Sequence, residues 1–298
     1  MGLTETTRGF WAVFVTFVLW GLFPIYWHQL REVPSVQILA HRIVWCALLV
    51  IGYLSLRQRH WLKESLCAPR VPWLLAISAV LITGNWGLYI WAVNHEHVVD
   101  ASLGYFINPL VNVMFGVLVL HERLNRSQRI AVTLAVIGVS YLTWELGTPP
   151  WIALTLAVSF GCYGLIRKIA PVQSMAGLGV ECAYLLLPAM GYLLWCEHVG
   201  TGVLGRLDAY HSTLLIGGGA ITGLPLVWFA YGARRIPYSL VGIIQFVAPT
   251  LQLLAGVLLF REPFTRVQAL GFSLIWAALL IYAADAVPRT RRELSMPR

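Results

Sequence analysis

Long apolar runs constrain this chain more than any other feature. A helix of about 20 apolar residues crosses the hydrocarbon core of a bilayer, and a run in lipid must be helical because lipid offers the backbone no hydrogen-bond partner. Ten such runs occupy 10–28, 36–56, 72–93, 100–120, 127–145, 150–167, 174–196, 212–232, 238–260 and 266–286. The sequence therefore predicts an all-α integral membrane protein with ten transmembrane helices.

The composition leaves room only for short loops. Charged residues make up 11% of the chain and hydrophobic residues 58%, whereas soluble domains carry about 25% charged residues. The net charge of +8 comes without a contiguous basic tract, which argues against a nucleic-acid partner. The five cysteines are an odd number, so we expect free thiols and no disulfide framework. The first run contains Trp20 and Pro24 and lacks a small-residue cleavage site, which predicts a retained helix.

Positive charge predicts the orientation in the membrane. Cytoplasmic loops of membrane proteins accumulate Lys and Arg. With the N-terminus placed in the cytoplasm, most of the 21 Lys and Arg residues fall on the cytoplasmic side. The exceptions are Arg31, Arg42, Arg206, Arg261 and Arg266. We therefore expect a multi-pass inner-membrane protein with both termini in the cytoplasm.

The two halves of the chain repeat each other. At one constant offset the aligned pairs include Pro109 with Pro249, Asn112 with Gln252, Gly116 with Gly256 and Gln128 with Gln268. The match predicts two five-helix repeats, residues 1–145 and 146–298. Because five is an odd number of crossings, the second repeat is inverted. Inverted repeats are typical of secondary transporters, in which two equivalent packings open a central site to either side.

Several motifs resemble one known family. They are Asp100–Asn112, Gly84–Trp86, Trp91–Asn94, His41–Trp45, Tyr163–Lys168, and Glu181 followed by Leu185–Pro188. From about Gly9 to Asp285 the chain resembles the RarD proteins, a group in the EamA branch of the drug/metabolite transporter superfamily. The resemblance implies a ten-helix fold of inverted five-helix repeats with a substrate path between them. Proteins of this group are commonly labelled chloramphenicol-sensitivity proteins, and relatives in the superfamily export amino acids and other metabolites.

Polar side chains form stripes on two predicted helices. Helix 100–120 carries Tyr105, Asn108 and Asn112 at helical spacing, and helix 238–260 repeats the stripe with two glutamines. The glutamines are Gln245 and Gln252. Amides facing lipid would cost several kcal/mol each if unpaired, so both stripes are expected to face protein. Two interpretations stay open: the stripes line a solute cavity, or they hold helices together.

Proline and glycine suggest hinges. Pro109 and Pro249 lie at equivalent positions expected in mid-helix, where each proline removes one backbone hydrogen bond. Pro24 and Gly164 form a second aligned pair. Paired breaks in both repeats point to the site of a transporter, although kinks without motion would produce the same pattern.

Aromatic residues supply further candidates for solute binding. Trp20, Trp45, Trp86 and Trp228 lie deep in apolar runs, and Tyr89 follows Asn85 by one turn. These rings could stack on an aromatic or amine-bearing solute, and core packing is the alternative. The remaining tryptophans near run ends are expected in interfacial belts; they are Trp11, Trp27, Trp73, Trp144, Trp151 and Trp195.

The best ionisable candidates for function are His41 and Arg42, about two turns into run 36–56, and Glu181, about two turns into run 174–196. Such groups are expensive in a membrane and usually functional. Glu181 is a candidate proton carrier, and His41 is a second one because histidine ordinarily titrates near neutral pH. The alternatives are that Arg42 extends to the membrane surface and that Glu181 is a paired structural anchor.

The sequence as a whole predicts a secondary transporter that exports small metabolites or drugs, with possible proton coupling. The cluster His95, Glu96, His97 and Asp100 fits an external loop better than a metal site, and no cofactor is expected. The alternatives are a passive channel and, with less support, a membrane-embedded enzyme, which would need acidic or histidine clusters. A monomer and a homodimer both stay open, because Gly219 and Gly223 could serve either an internal contact or a dimer.

Overall fold

The computed structural model describes residues 5–58, 60–66, 69–121, 124–233, 235–236, 241 and 244–295. Its elements are α1 (Glu5–His28), α2 (Ser35–Arg57), α3 (Trp61–Ser65), α4 (Val71–Asn94), α5 (Val98–Leu120), α6 (Arg126–Leu146), α7 (Trp151–Ile169), α8 (Ser174–His198), α9 (Ala209–Ala233), α10 (Val247–Leu254), a π-helical turn (Ala255–Leu259) and α11 (Arg266–Ser295). Within these ranges there is no strand. The predicted all-α class is therefore confirmed.

Helices lie over each of the ten predicted apolar runs. Among the described residues, α1, α2, α4, α5, α6, α8 and α9 are long and apolar enough to cross a membrane. Three shorter apolar helices cover Trp151–Arg167, Val247–Leu259 and Arg266–Tyr282. The short helix α3 was not predicted. The count of ten spans and their inverted arrangement stay predictions.

The aligned helices α6 and α11 begin with the same cap. At the start of α6, the Asn125 side chain accepts from the Gln128 backbone N–H (2.8 Å), and the Gln128 side chain accepts from the Asn125 N–H (3.2 Å). Thr265 and Gln268 exchange the equivalent pair of bonds at the start of α11. This reciprocal capping box satisfies backbone donors that a helix start leaves open.

A second local feature recurs at the same offset. His121, after α5, and Arg261, after the π-helical turn, have φ values of 55° and 57°. Left-handed backbone is uncommon for residues other than glycine. Its presence at two aligned positions means that the duplicated sequences adopt the same local structure there.

The chain divides into two compact units. The first comprises the described parts of Met1–Pro24, Glu96–Gly161 and Tyr231–Arg298, and the second comprises those of Ile25–His95 and Cys162–Ala230. The division falls within α1 after Pro24, within α7 after Gly161 and within α9 after Ala230. Each unit therefore takes helices from both predicted repeats, and the boundaries 1–145 and 146–298 stay a prediction.

In the first unit, α6 packs along α11 and α5 packs against α10. Gly138 and Gly271 let α6 and α11 approach closely, because a Cβ at Gly138 would lie 3.2 Å from the Gly271 carbonyl oxygen. Phe106 and Phe272 meet edge to face in the apolar core, with ring centroids 6.1 Å apart. Burial of this apolar contact surface holds the unit together.

In the second unit, α2 packs along α8, and both contact α4. Gly219 of α9 lies against α2, since a Cβ there would be 2.6 Å from the Cys46 amide nitrogen. A Cβ at Gly223 would lie 3.9 Å from Cys46 Sγ. The two glycines thus serve an internal contact between α9 and α2. Cys46, Cys162, Cys182 and Cys196 are free thiols, and Cys67 lies outside the described residues.

The proline positions differ partly from expectation. Pro24 and Pro109 lie within α1 and α5, which continue through them as α-helices, and Gly164 lies within α7. Pro249, expected in mid-helix, is instead the third residue of α10. The first turn of a helix has backbone N–H groups without intrahelical partners, so a proline is tolerated there. The π-helical turn that follows α10 also had no sequence signal.

Candidate functional site

Arg42 is the centre of a buried cluster in the second unit. Its side chain on α2 is 4% exposed. The guanidinium Cζ lies 5.2 Å from the ring centroid of Trp27 and 4.1 Å from that of Trp86. Arg42 Nε donates to Thr222 Oγ1 at 2.9 Å, and this hydroxyl donates to the Gly218 carbonyl at 2.8 Å. Helices α1, α2, α4 and α9 thus contribute to one site.

This cluster contradicts one alternative, for Arg42, and one expectation, for Trp27. Arg42 does not extend to a surface, because aromatic faces and a threonine hydroxyl hold its charged end inside the unit. Trp27, expected in an interfacial belt, is 1% exposed and lies beside Arg42. Cation–π contact explains the burial of both residues. The other five tryptophans predicted for the belts are exposed: Trp11, Trp73, Trp144, Trp151 and Trp195.

Further predicted residues lie in the same unit. His41 precedes Arg42 and is buried, as are Asn85 and Tyr89 on α4. Trp45, one turn after Arg42, is half-buried, and its Nε1 is a buried donor without a hydrogen-bond partner among the described residues. Trp228 on α9 is 41% exposed.

Glu181 forms the second buried charged group of this unit. Its side chain on α8 is 1% exposed. Ser78 of α4 donates to Glu181 Oε1. From α7, Tyr163 Oη lies 3.5 Å from Oε2 and Arg167 Nη1 lies 3.5 Å from Oε1. The carboxylate therefore meets an ion-pair partner and two hydroxyl groups, from two other helices.

Sequence reasoning missed the partners of Glu181. Ser78 gave no signal, because serine is frequent in membrane helices. Arg167 was counted as a charge on the cytoplasmic side, but it lies near the end of α7 with a side chain only 14% exposed. A buried acid and a nearby helix-end arginine on consecutive helices could have suggested the pair.

The polar stripes in the first unit make hydrogen bonds to neighbouring backbone. Asn108 Nδ2 donates to the Ala157 carbonyl of α7 at 3.2 Å, and Asn112 Nδ2 donates to Asn108 Oδ1 at 3.1 Å. Gln252 Nε2 donates to the Trp20 carbonyl of α1 at 3.1 Å. Asn108 and Gln252 are buried, whereas Asn112 is exposed. These bonds favour the helix-packing interpretation for Asn108 and Gln252.

Three further predicted residues of the first unit are less buried than Asn108 and Gln252. Trp20, Tyr105 and Gln245 are half-buried, and Tyr105 meets Phe160 edge to face at 6.4 Å. Gln252 Oε1 is buried without a hydrogen-bond partner in the described part of the chain. The first unit therefore holds six of the predicted residues: Trp20, Tyr105, Asn108, Asn112, Gln245 and Gln252.

Glu262 caps α5 from a distant part of the sequence. Its two carboxylate oxygens accept the backbone N–H groups of Val98 (2.7 Å) and Val99 (2.8 Å) at the start of that helix. Burial raises the pKa of the Glu262 carboxyl above its ordinary value, although the two N–H groups act in the opposite direction. Glu122, its aligned counterpart, lies outside the described residues.

The polar residues between α4 and α5 contact near neighbours in the sequence. His97 Nδ1 lies 3.0 Å from Asp100 Oδ2, and the His95 ring stacks on Trp91 at 4.7 Å. No group of three or more potential metal ligands occurs in the described ranges. These polar residues take part in local contacts at the start of α5 and the end of α4.

Comparisons with known proteins agree on one family. A model of the EamA-like transporter family matches residues 7–144. Protein RarD of Streptomyces exfoliatus is 46% identical, and the alignment covers 97% of this chain and 92% of that protein. Protein RarD of Escherichia coli K12 is 39% identical over 98% of this chain and 99% of that protein. The uncharacterized transporter YojE of Bacillus subtilis is 42% identical over 98% of each.

A solved structure is similar in fold. A crystal structure of a protein with 19% sequence identity superimposes with a TM-score of 0.60 and covers 97% of this chain and 99% of that chain. At this identity the similarity concerns the arrangement of helices and not the ligand.

Proposed function

Since the chain belongs to the EamA-like transporter family and is similar to the RarD proteins over nearly its whole length, we propose that it is a secondary transporter working by alternating access. It is a multi-pass membrane transporter of the inner membrane. Its cargo is a small metabolite or drug, its direction is export, and both termini lie in the cytoplasm.

Buried charge is the observation that carries this proposal. Arg42 is 4% and Glu181 is 1% exposed, and both lie in helices long and apolar enough to cross a membrane. A membrane protein rarely retains ionisable side chains at such positions unless they bind a solute or ion. We assign the Arg42 cluster to solute binding and Glu181 to coupling.

Local symmetry supports alternating access. The capping boxes at Asn125 and Thr265 occupy aligned positions, as do the left-handed residues His121 and Arg261. Two repeats with the same local structure favour two equivalent packings, which inverted-repeat transporters use to open to either side.

The proposed hinges have some structural support. Pro24 is the last residue of its segment of the first unit, and Gly164 follows the corresponding division of α7 by a few residues. A proline inside a helix removes one backbone hydrogen bond, so bending at such a position disturbs fewer bonds. Pro109 and Pro249 stay candidates for bending within the first unit.

Proton coupling is assigned to the Glu181 group. Protonation would neutralise the carboxylate and weaken its attraction to Arg167 Nη1, now 3.5 Å away. Ser78 and Tyr163 would still offer hydrogen bonds to the neutral acid. The Glu181 group therefore has a charged and a neutral state. A proton gradient could switch it between them, by protonation on one side of the membrane and deprotonation on the other.

Counterflow in proteoliposomes tests the proposal. The purified protein is reconstituted, and exchange of labelled amino acids and amphenicol-like compounds is measured with and without a pH gradient. A carrier gives saturable counterflow, and a proton-coupled carrier is stimulated by the gradient. Flux without saturation or counterflow would instead indicate a passive channel.

A matched variant tests the role of Glu181. Glu181→Gln keeps the size of the side chain and one acceptor oxygen and removes the titratable proton. We expect counterflow to continue while net transport loses its stimulation by the pH gradient. Gradient-driven transport that survives in this variant would remove Glu181 as the proton site.

A further inference from the structure

We propose that Arg42 anchors the carboxylate of a monoanionic solute. The inference rests on the proposed transport function and names the class of solute for that site. The participating residues all belong to the second unit: Trp27, Arg42, Trp45, Trp86 and Thr222.

The surroundings of the Arg42 guanidinium determine where a solute can form hydrogen bonds to it. Its Cζ lies over the rings of Trp27 and Trp86, 5.2 and 4.1 Å from their centroids. Stacking of this kind leaves hydrogen bonding to the plane of the group, where its N–H donors point. Thr222 accepts one of these donors, from Nε. A carboxylate binds a guanidinium in the same plane, through two parallel N–H···O bonds.

A second buried donor belongs to the same helix, one turn after Arg42. Trp45 follows Arg42 by three residues on α2, and residues at this spacing are neighbours on a helix surface. The Trp45 Nε1 is buried without a hydrogen-bond partner in the described part of the chain. An indole N–H only donates, so its missing partner is an acceptor. The contact of Gly219 with the backbone at Trp45 and Cys46 fixes this part of α2 against α9.

Charge balance selects the monoanion. The five residues of the site carry one positive charge, on Arg42. One carboxylate neutralises this charge, and a neutral ion pair costs far less in an apolar interior than either charge alone. A phosphate dianion would leave excess negative charge, and an amine would be repelled by the guanidinium. A neutral amide of the same shape would forgo the charge-assisted bonds.

Binding to matched acid and amide pairs tests the proposal without requiring transport. The full-length protein in detergent is titrated with benzoate and benzamide, phenylacetate and phenylacetamide, and N-acetylphenylalanine and its amide, and tryptophan fluorescence is recorded. In at least one pair the acid is expected to bind roughly 10- to 100-fold more tightly than the amide, as expected for hydrogen bonds to charged groups. Inorganic phosphate is expected not to compete.

Variants assign the preference to Arg42. Arg42→Gln is expected to abolish the difference between acid and amide. Arg235→Gln is the control, because Arg235 also lies over an aromatic ring, at 3.7 Å from Tyr231, but is exposed. If Arg42→Gln does not fold, Arg42→Lys keeps the charge without the planar fork and is expected to reduce the preference.

The outcomes separate this inference from the proposed function. Equal binding of acid and amide in every pair, a preference that survives Arg42→Gln, or no binding of any acid would overturn the carboxylate site. Counterflow of neutral solutes together with any of these results would leave the transporter assignment standing. Preference for the acid without flux in proteoliposomes would leave the site standing and remove the transport proposal.

Discussion

Gly177 of α8 lies directly against the guanidinium of Arg167: a Cβ built at position 177 would overlap the Arg167 Nη1. Glu181 follows Gly177 by one helical turn, so the two residues lie on the same face of α8. The missing side chain at Gly177 gives the arginine from α7 room to reach the carboxylate of Glu181, 3.5 Å away. Gly177 thus positions the ion pair without taking part in it.

Gly177→Ala is expected to displace Arg167 from Glu181. The end of an arginine side chain can move, so the fold should tolerate the methyl group, and alanine favours a helix over glycine by about 1 kcal/mol. Losing the ion pair costs about 2 kcal/mol, and the helix preference of alanine offsets about half of it, so we expect a small drop in the thermal midpoint together with a several-fold loss of gradient-driven transport. Gly191→Ala on the same helix is the control, because its Cβ would meet nothing within 4 Å. Equal transport by the two variants would contradict the positioning role.

The ion pair itself is expected to show strong coupling in stability. Arg167→Gln leaves Glu181 buried beside a neutral group, whereas the double variant Arg167→Gln/Glu181→Gln leaves no buried charge. Removing one partner of a fully buried pair costs about 3–5 kcal/mol. Here Arg167 is partly exposed and the separation is 3.5 Å, so we expect about 2 kcal/mol. Unfolding measured for both single variants and the double variant checks this: additive losses would mean that the two groups do not interact.

The positions of the helices could be predicted from hydrophobicity, but the contacts between side chains of different helices could not. The lengths of the apolar runs located the long helices of the described residues. In lipid, the backbone N–H and C=O groups must bond to each other, so few structures other than a helix can form. The start of α6 was equally local, since Asn125 and Gln128 cap it within one turn. By contrast, Ser78 and Glu181 are far apart in sequence, and only packing of α4 against α8 brings them together.

Trp27 and Arg42 illustrate the same limit. Each residue alone suited a membrane surface, where tryptophan belts and extended arginine side chains are common. Together they bury each other, because the indole face replaces part of the hydration of the guanidinium. A pattern read along one helix cannot distinguish these outcomes, since the deciding partner lies on another helix.

Glu262 is expected to stabilise the start of α5 as a helix cap. Both of its oxygens accept backbone N–H groups, from Val98 and Val99. Glu262→Ala should therefore lower the free energy of unfolding by about 1 kcal/mol, the usual cost of a lost cap. Glu262→Gln retains one acceptor oxygen and should lose less. Equal loss in the two variants would mean that the single amide oxygen does not cap the helix, and no loss in Glu262→Ala would contradict the capping role.

The contribution of Glu262 is also expected to depend on pH. Its pKa in the folded protein is raised by burial, so the folded state holds the proton more tightly than the unfolded state. This contribution is fully present below the ordinary carboxyl pKa and is lost as pH rises through the raised value. The difference in stability between the wild type and Glu262→Gln should shift in that direction. A shift in favour of the wild type with rising pH would contradict the assignment.

Asn108 and Asn112 are expected to separate helix packing from solute contact. Asn108 is buried and bonded to the Ala157 carbonyl of α7, whereas Asn112 is exposed and bonded to the Asn108 side chain. Asn108→Ala should destabilise the protein by about 1 kcal/mol, as for interhelical hydrogen bonds in membranes. Asn112→Ala should leave the unfolding midpoint nearly unchanged and raise the half-saturating solute concentration in counterflow. If Asn112→Ala unfolds as readily as Asn108→Ala and transports normally, both asparagines serve packing, and the polar stripe of α5 does not line the solute path.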